Sequence, residues 1–403
     1  MPDRPSVPAI PPHVRRVNRE RLTDLLRRLV ATDSVNPSLV DGAAGEGAIA
    51  RLLAEECRAA GFDVRLDEVA PGRFNVVARV RGARPGRRLL LNGHTDTVGV
   101  FGMREPLAAV VIGGRLYGRG AYDMKGSLAA MLEAARAVAA AGLEAGEVVL
   151  AFVADEEYAS LGTADLVRRY GGADLAEAAI VTEPTALDVC IAHKGFVWAR
   201  IETSGRAAHG SRHEDGDDAI VRMGHVLAAL DRLDREVLPQ RRHALLGRAS
   251  VHASTIRGGI GLSTYPDRCV LEVERRTLPG ERDEGVLAEL QGLLEEARRA
   301  SPGLAGQVEL LLSRPPFVID PEAPVVRALV ESVRAVRGEP PRLVGDAPWF
   351  DAALLGQAGI PTVMFGPQGA GAHAAEEWVD LRSVVICAGV LADVILRFCG
   401  GDR

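Results

Sequence analysis

The sequence predicts an α/β fold in which one mixed-sheet domain is interrupted by a smaller α+β domain. Three observations carry this expectation. The chain has 403 residues, more than one ordinary domain holds, so two are expected. Short apolar runs alternate with amphipathic helical segments up to about residue 192, and the same texture returns after Pro315-Pro316. Between these stretches the order of elements becomes βαββαβ, the ferredoxin-like split unit. The expected boundaries are 1–192 and 315–403 for the larger domain and 193–314 for the insert.

Residues 1–12 are rich in proline and lack an apolar segment, so they read as a loose arm and not as a signal peptide. A helix is expected over 19–30. A second, over 47–60, is closed by Gly61, because glycine takes the left-handed backbone at a helix end without steric cost. Strands are expected at 63–68 and 75–81, and an apolar run at 89–91 stops at Asn92-Gly93. The segment 121–141 starts as a loop and becomes an Ala-rich helix. Residues 148–154 are continuously apolar, as in a strand buried on both faces. A helix at 162–170 and a strand at 178–181 follow. The insert has strands at 196–203, 250–257, 269–277 and 308–313, and helices at 217–233 and 286–299. After residue 315, helices at 324–336, 349–357 and 381–398 accompany a strand at 361–365.

Composition excludes several classes. The formal charge is −6, so the clustered basic surface of a nucleic-acid binder is not expected. No uninterrupted apolar run reaches the roughly 18 residues of a membrane span. The five cysteines are odd in number and far apart, which fits reduced thiols in a cytoplasmic protein. Of 48 basic residues only Lys125 and Lys194 are lysine. Chance is one explanation. The other is that a compact ammonium is required where a planar guanidinium will not fit.

Acids and imidazoles recur at the ends of the expected strands. His94-Thr95-Asp96 follows the run 89–91, and ligands in parallel sheets gather at C-terminal strand ends. There His94 can bind a metal while Asp96 reaches its other ring nitrogen. Alone, this triplet is more often a surface feature. Gly118-Arg119-Gly120 leads to Asp123 at the mouth of a helix, where Asp is either an N-cap or a ligand. Asp155-Glu156-Glu157 follows the strand 148–154. It is either a solvated acidic turn or a set of crowded carboxylates that needs a cation. Glu183 follows the strand 178–181, and His373 follows 361–365 after a Gly-rich loop. Imidazole and carboxylate in this number suit zinc, cobalt or manganese. The carboxylates of Asp123, Glu157 and Glu183 with one hydroxide balance two divalent cations, which lowers the cost of burying the centre.

Taken together, His94-x-Asp96, the run Gly118 to Gly126 with Asp123-Met124-Lys125, Glu156-Glu157, Glu183-Pro184 and His373 resemble the five-block signature of the dinuclear metallopeptidase and amidohydrolase family. That family includes acetylornithine deacetylase, succinyl-diaminopimelate desuccinylase, aminoacylase and carboxypeptidase G. The resemblance covers about residues 18–398. It implies a zinc-peptidase-like catalytic domain with a ferredoxin-like dimerisation (lid) domain. It further implies that Asp123 bridges two metals, His94 and Glu183 complete one site, and Glu157 and His373 the other. Glu156 is implied as general base, Asp96 as the group that orients His94, and the Asp123-Met124 bond as cis.

The implied reaction is hydrolysis of the amide bond of an N-acyl amino acid or short peptide. Two metals lower the pKa of the water between them, and Glu156 takes and returns its proton. His209, in Gly205-Arg206-Ala207-Ala208-His209-Gly210, resembles the family His that reaches a neighbouring subunit's site, which implies a homodimer through the insert. The other reading is an exposed hairpin-tip histidine. Arg276 resembles the position that holds a substrate carboxylate, and Arg275 is expected on the surface. Ser263 stands where many relatives have Asn. Asp351, Gly366 and Pro367 are expected to line the pocket. A di- or carboxypeptidase on the same scaffold and a non-catalytic binding protein are the alternatives.

Overall fold

The structure, a computed structural model, describes residues 14–172 and 174–400. The arm expected over 1–12 lies outside the described residues. The chain divides into two compact units. One comprises Met1–Ile191, Ile319–Val344 and Phe350–Arg403, the other Ala192–Val318 and Gly345–Trp349. The second unit therefore keeps residues 315–318 and takes in Gly345–Trp349, which the sequence reading gave to the larger domain.

The first unit is built on a mixed sheet. Its strands lie in the order Asp63–Ala70, Arg73–Arg81, Ala145–Val153, Arg84–His94, Ala178–Val181, Thr362–Met364, Val189–His193. Arg84–His94 runs parallel to both its neighbours, and Thr362–Met364 is parallel to Ala178–Val181. Leu89, Leu90 and Leu91 are all fully buried, so this strand is covered on both faces, as its continuous apolar run requires. The helices Gly126–Ala141 and Leu381–Gly400 pack on each other and on the central strands. The alanines of the first helix are buried around most of its circumference, which small side chains permit. Asn18 caps the helix Arg19–Ala31 by accepting from the Arg21 amide at 2.9 Å. Gly61 closes Gly47–Ala59 with φ of 81°.

The expectation about membrane spans needs one correction. Leu381–Gly400 is long and apolar enough to cross a membrane by length and composition. Yet 72% of its apolar window is buried inside the unit, and Asp393 pairs with Arg397 along it. Its apolarity belongs to the core.

Other differences are local. The strand read at 89–91 starts at Arg84, and the helix read at 349–357 forms only over Ala352–Gln357. A small sheet of Val110–Ile112, Arg115–Tyr117, Trp378–Asp380 and Gly369–Ala370 was not anticipated. Its strands are too short to show a period, and Trp378 pairs with Tyr117, far away in sequence. It ties the loop that carries His373 to the segment leading into Asp123.

The second unit is an antiparallel sheet in the order Ser250–Gly258, Arg268–Thr277, Gly195–Ser204, Ala305–Arg314, with helices Ala219–Arg232 and Asp283–Ala300. With chain order βαββαβ this is the ferredoxin-like arrangement. Along Arg268–Thr277 burial alternates with period two, and Cys269, Leu271, Val273 and Arg275 share the buried face. Arg275, expected on the surface, is fully buried. Its guanidinium pairs with Glu281 at 2.5 Å and Glu289 at 3.4 Å. Such a charge is tolerated in a core only because both carboxylates meet it.

Candidate metal centre

The parallel strands set the site. Arg84–His94, Ala145–Val153 and Ala178–Val181 run in one direction, so His94, Glu156-Glu157 and Glu183 emerge at the same sheet edge. Asp123 arrives on a tight turn. Gly118 and Gly120 have φ of 149° and 76°, and a Cβ would lie 2.4 Å from Val30 at the first and 2.6 Å from Thr97 at the second. Only glycine fits both conditions. The Asp123-Met124 peptide is cis.

The carboxylate of Asp123 stands between the two imidazoles. Its Oδ1 is 3.1 Å from His94 Nε2, and its Oδ2 is 3.4 Å from His373 Nε2. Glu183 Oε1 lies 3.8 Å from His94 Nε2, and Glu157 Oε2 lies 3.0 Å from His373 Nε2. His94, Asp123 and Glu157 bring ligand atoms within 4.8 Å of one another, and so do His94, Glu156 and Glu183. The sequence-predicted set thus converges: two imidazole–carboxylate pairs flank one shared carboxylate.

The electrostatics call for cations. Burial pushes the carboxyls of Glu156 and Glu183 well above the usual range; the charge of Glu183 adds to the first, and the charges of Asp123 and Glu157 add to the second. Glu157 is raised by burial and by Asp123. Burial also works to raise Asp123, but hydrogen bonds from His373 and His94 outweigh it and hold its carboxyl low. His373 is pushed up to about 10 by Asp123 and Glu157. Glu157 Oε1 and Glu183 Oε1 are buried without any hydrogen-bond partner. Orphaned carboxylate oxygens beside two imidazoles are the donor set divalent zinc, cobalt or manganese takes.

Several side chains hold this set in place. His94 Nδ1 lies 3.0 Å from the Asp96 carbonyl oxygen and 3.5 Å from its carboxylate. That carboxylate accepts the amides of Glu156 and Glu157, each at 3.1 Å. Burial raises its pKa, but hydrogen bonds from His94 and Asn36 outweigh that and keep it low. Glu377 carries a role the sequence reading missed. Its carboxylate accepts the amides of Gly120, Tyr122 and Asp123 at 2.9, 2.9 and 3.0 Å and pairs with buried Arg119 at 2.7 Å. The only local signal was an acidic doublet beside His373. Lys125 is buried, and its Nζ donates to the carbonyl of Thr32, the C-cap of Arg19–Ala31, at 2.9 Å. Burial lowers its pKa to about 8. Gly120 packs against its methylenes, where a Cβ would lie 3.1 Å from Cε.

Two residues expected to line the pocket are buried behind it. A Cβ on Gly366 would lie 2.3 Å from the Glu183 carbonyl oxygen, so Gly366 lets its strand end approach that of Glu183. Asp351 is 1% exposed and accepts from Thr163 Oγ1 at 2.5 Å. Burial pushes its carboxyl up to about 6, from about 4 in an unfolded chain. A raised carboxyl favours the fold below the unfolded value and loses that contribution as pH rises through 6. Asp351→Asn, neutral at every pH, is therefore expected to gain on the order of 2 kcal/mol over the parent at pH 8 and almost nothing at pH 4. Denaturant unfolding of metal-free protein at both pH values checks this, and an equal difference at both would refute it.

The remaining predicted residues lie in the second unit. His209 is exposed, with Nδ1 2.8 Å from Ser211 Oγ. Its segment pairs with the turn containing exposed Ser263, whose carbonyl accepts the Gly210 amide at 2.7 Å. Arg276 donates to Glu274 at 3.2 Å and to the Ala347 carbonyl, and lies 5.6 Å over the Phe196 ring. Lys194 Nζ donates to the Arg248 carbonyl at 2.7 Å.

Known proteins share this architecture. The family description Peptidase family M20/M25/M40 matches residues 90–397. The chain is 32% identical over 392 residues to the acetylornithine deacetylase of Myxococcus xanthus, covering 95% of this chain and 98% of that protein. It is 28% identical over 419 residues to the N-formyl-4-amino-5-aminomethyl-2-methylpyrimidine deformylase of Bacillus subtilis (strain 168), covering 96% of each. Among solved structures, the M20 family metallo-carboxypeptidase Sso-CP2 from Sulfolobus solfataricus superposes with a TM-score of 0.77 at 19% identity, over 94% of this chain and 99% of that one. That likeness speaks for the fold. With a family match over most of its length and a full-length relative at 32% identity, the chain belongs to the peptidase family M20/M25/M40.

Proposed function

We propose that this chain hydrolyses the amide bond of small N-acyl amino acids, using two divalent cations of which zinc is the best match. One observation carries the reading: the Asp123 carboxylate sits between a His94–Glu183 pair and a His373–Glu157 pair. Cations held there supply Lewis-acid polarisation of a carbonyl and a more acidic water. Glu156, half-buried and with a raised carboxyl, takes a proton and passes it to the leaving amine. Asp96 fixes the turn that carries it. The names of the two curated relatives, a deacetylase and a deformylase, support removal of an acyl group over cleavage of a peptide. In the second unit, Arg276 is the group for a substrate carboxylate. His209, exposed, is the donor to the developing oxyanion of a partner's site in a homodimer. The five cysteines are buried thiols, which supports a reducing, cytoplasmic setting.

The test is a panel of N-acetyl, N-succinyl and N-formyl amino acids beside dipeptides, with metal-free enzyme and enzyme reloaded with zinc, cobalt or manganese. Metal-dependent turnover that favours acyl amino acids is expected. A strong preference for unblocked dipeptides would replace the deacylase by a dipeptidase. The role of His209 is read by mixing inactive His209→Ala and Glu156→Ala chains. Hybrid dimers hold one complete site, so roughly a quarter of parental activity should return. No recovery would remove the role in trans.

A further inference from the structure

We infer that Asn36 is a positioning residue that fixes the Glu156-Glu157 turn against the ligand set, with Arg73 supplying the countercharge that the arrangement needs. This rests on the metal-centre reading above.

Asn36 is fully buried, on a segment that pairs with the residues just after His94. Its backbone N–H donates to the Thr97 carbonyl at 2.9 Å, and Thr97 N donates to the carbonyl of Ser34 at 3.0 Å. Its side-chain Nδ2 donates to two carboxylates, Asp96 Oδ2 at 2.8 Å and Asp155 Oδ1 at 3.0 Å. Its Oδ1 accepts the Ser38 amide at 2.8 Å. The orientation of the side chain follows from chemistry, since ionised carboxylates only accept and the Ser38 amide only donates.

These two carboxylates bracket the turn. Asp96 accepts both the Glu156 and the Glu157 amides. Asp155 is the residue just before them, held at φ of 71° with its own amide on Glu46 Oε1 at 3.1 Å. One amide nitrogen therefore clamps the start of the turn and the group that holds its next two residues. Three carboxylates, Asp96, Asp155 and Glu46, are thereby buried close together. Arg73 meets two of them, with Nη1 2.8 Å from Asp155 Oδ1 and Nε 2.8 Å from Glu46 Oε2. An alanine at 36 would leave Asp96 and Asp155 without a shared donor, and an aspartate would add a fourth buried acid.

The consequence is asymmetric. Glu157 pairs with His373 and rides on this turn, whereas Glu183 rides on another strand, and His94 keeps its 3.0 Å contact with the Asp96 carbonyl. Loss of Asn36 should thus loosen the His373–Glu157 pair and misplace Glu156, and spare the His94–Glu183 pair.

The experiment is a cobalt titration of parent, Asn36→Ala and Asn36→Ser, followed by visible absorption, with kcat and KM on the best substrate of the panel. In Asn36→Ala the first binding step is expected to match the parent and the second to weaken 10- to 100-fold. The same variant should lose about 10- to 100-fold in kcat with KM within about twofold. Asn36→Ser, with one hydroxyl donor, should fall between. Two unchanged steps in a folded variant would overturn the inference. So would equal weakening of both steps with a lowered Tm, or failure of both variants to fold, since either marks a purely structural role. If the parent binds cobalt in two steps yet hydrolyses nothing, the proposed function falls while the titration still decides the role of Asn36.

Discussion

Glu156→Gln is expected to lower kcat by about 10²- to 10⁴-fold while two cations per chain remain bound. Glutamine keeps the size and polarity of the side chain and removes its capacity to take a proton. Two readings of this residue meet here. Its carboxylate lies within the same 4.8 Å cluster as His94 and Glu183, so proximity alone would also admit it as a ligand. We assign it the base because His94 and Glu183 already form one pair with Asp123, and His373 and Glu157 the other. Metal analysis beside the kinetics separates the roles. A base loses turnover and keeps both metals, whereas a ligand loses metal in proportion to activity.

Asp123→Ala is expected to cost more, because it strikes both halves of the site at once. Its two oxygens face the two imidazoles separately. Without it His94 and Glu183 are no longer joined to His373 and Glu157, and neither pair has a third ligand from this loop. Turnover should fall by more than about 10³-fold, since all Lewis-acid assistance is lost together. Metal content should drop below one cation per chain. The protein should remain folded, because Glu377 holds the loop through backbone amides and not through the Asp123 side chain. Circular dichroism with metal analysis checks both halves of this expectation. A variant that retained both cations would mean that Asp123 does not bridge.

The cluster of imidazoles and carboxylates was legible in sequence because parallel strands deliver their C-terminal ends to one edge. An acid or imidazole just after each apolar run is then a candidate for a common site. The insert was legible through the alternation of its strands. What stayed hidden is polar and long-range. Glu377 reaches Gly120, and Asn36 reaches Asp96 and Asp155, across stretches of chain that no local pattern spans. By its pattern alone the run Asp155-Glu156-Glu157 is three like acids, and only the family resemblance separates Glu156 and Glu157 from Asp155. The left-handed backbone at Asp155 turns the first toward Arg73 and leaves the other two at the site. For Arg275 and Arg276 the strand period was legible and the side facing the helices was not. Asp351 and Gly366 sit next to the site in sequence logic, but their burial depends on Thr163 and on the Glu183 carbonyl.

The central claim is that one carboxylate is shared between two cation sites. Anomalous scattering at the zinc edge, from crystals of zinc-loaded protein, tests it most directly. Two peaks flanking the Asp123 carboxylate, one beside His94 and Glu183 and one beside His373 and Glu157, are the predicted result. A single peak, or peaks away from Asp123, would contradict it.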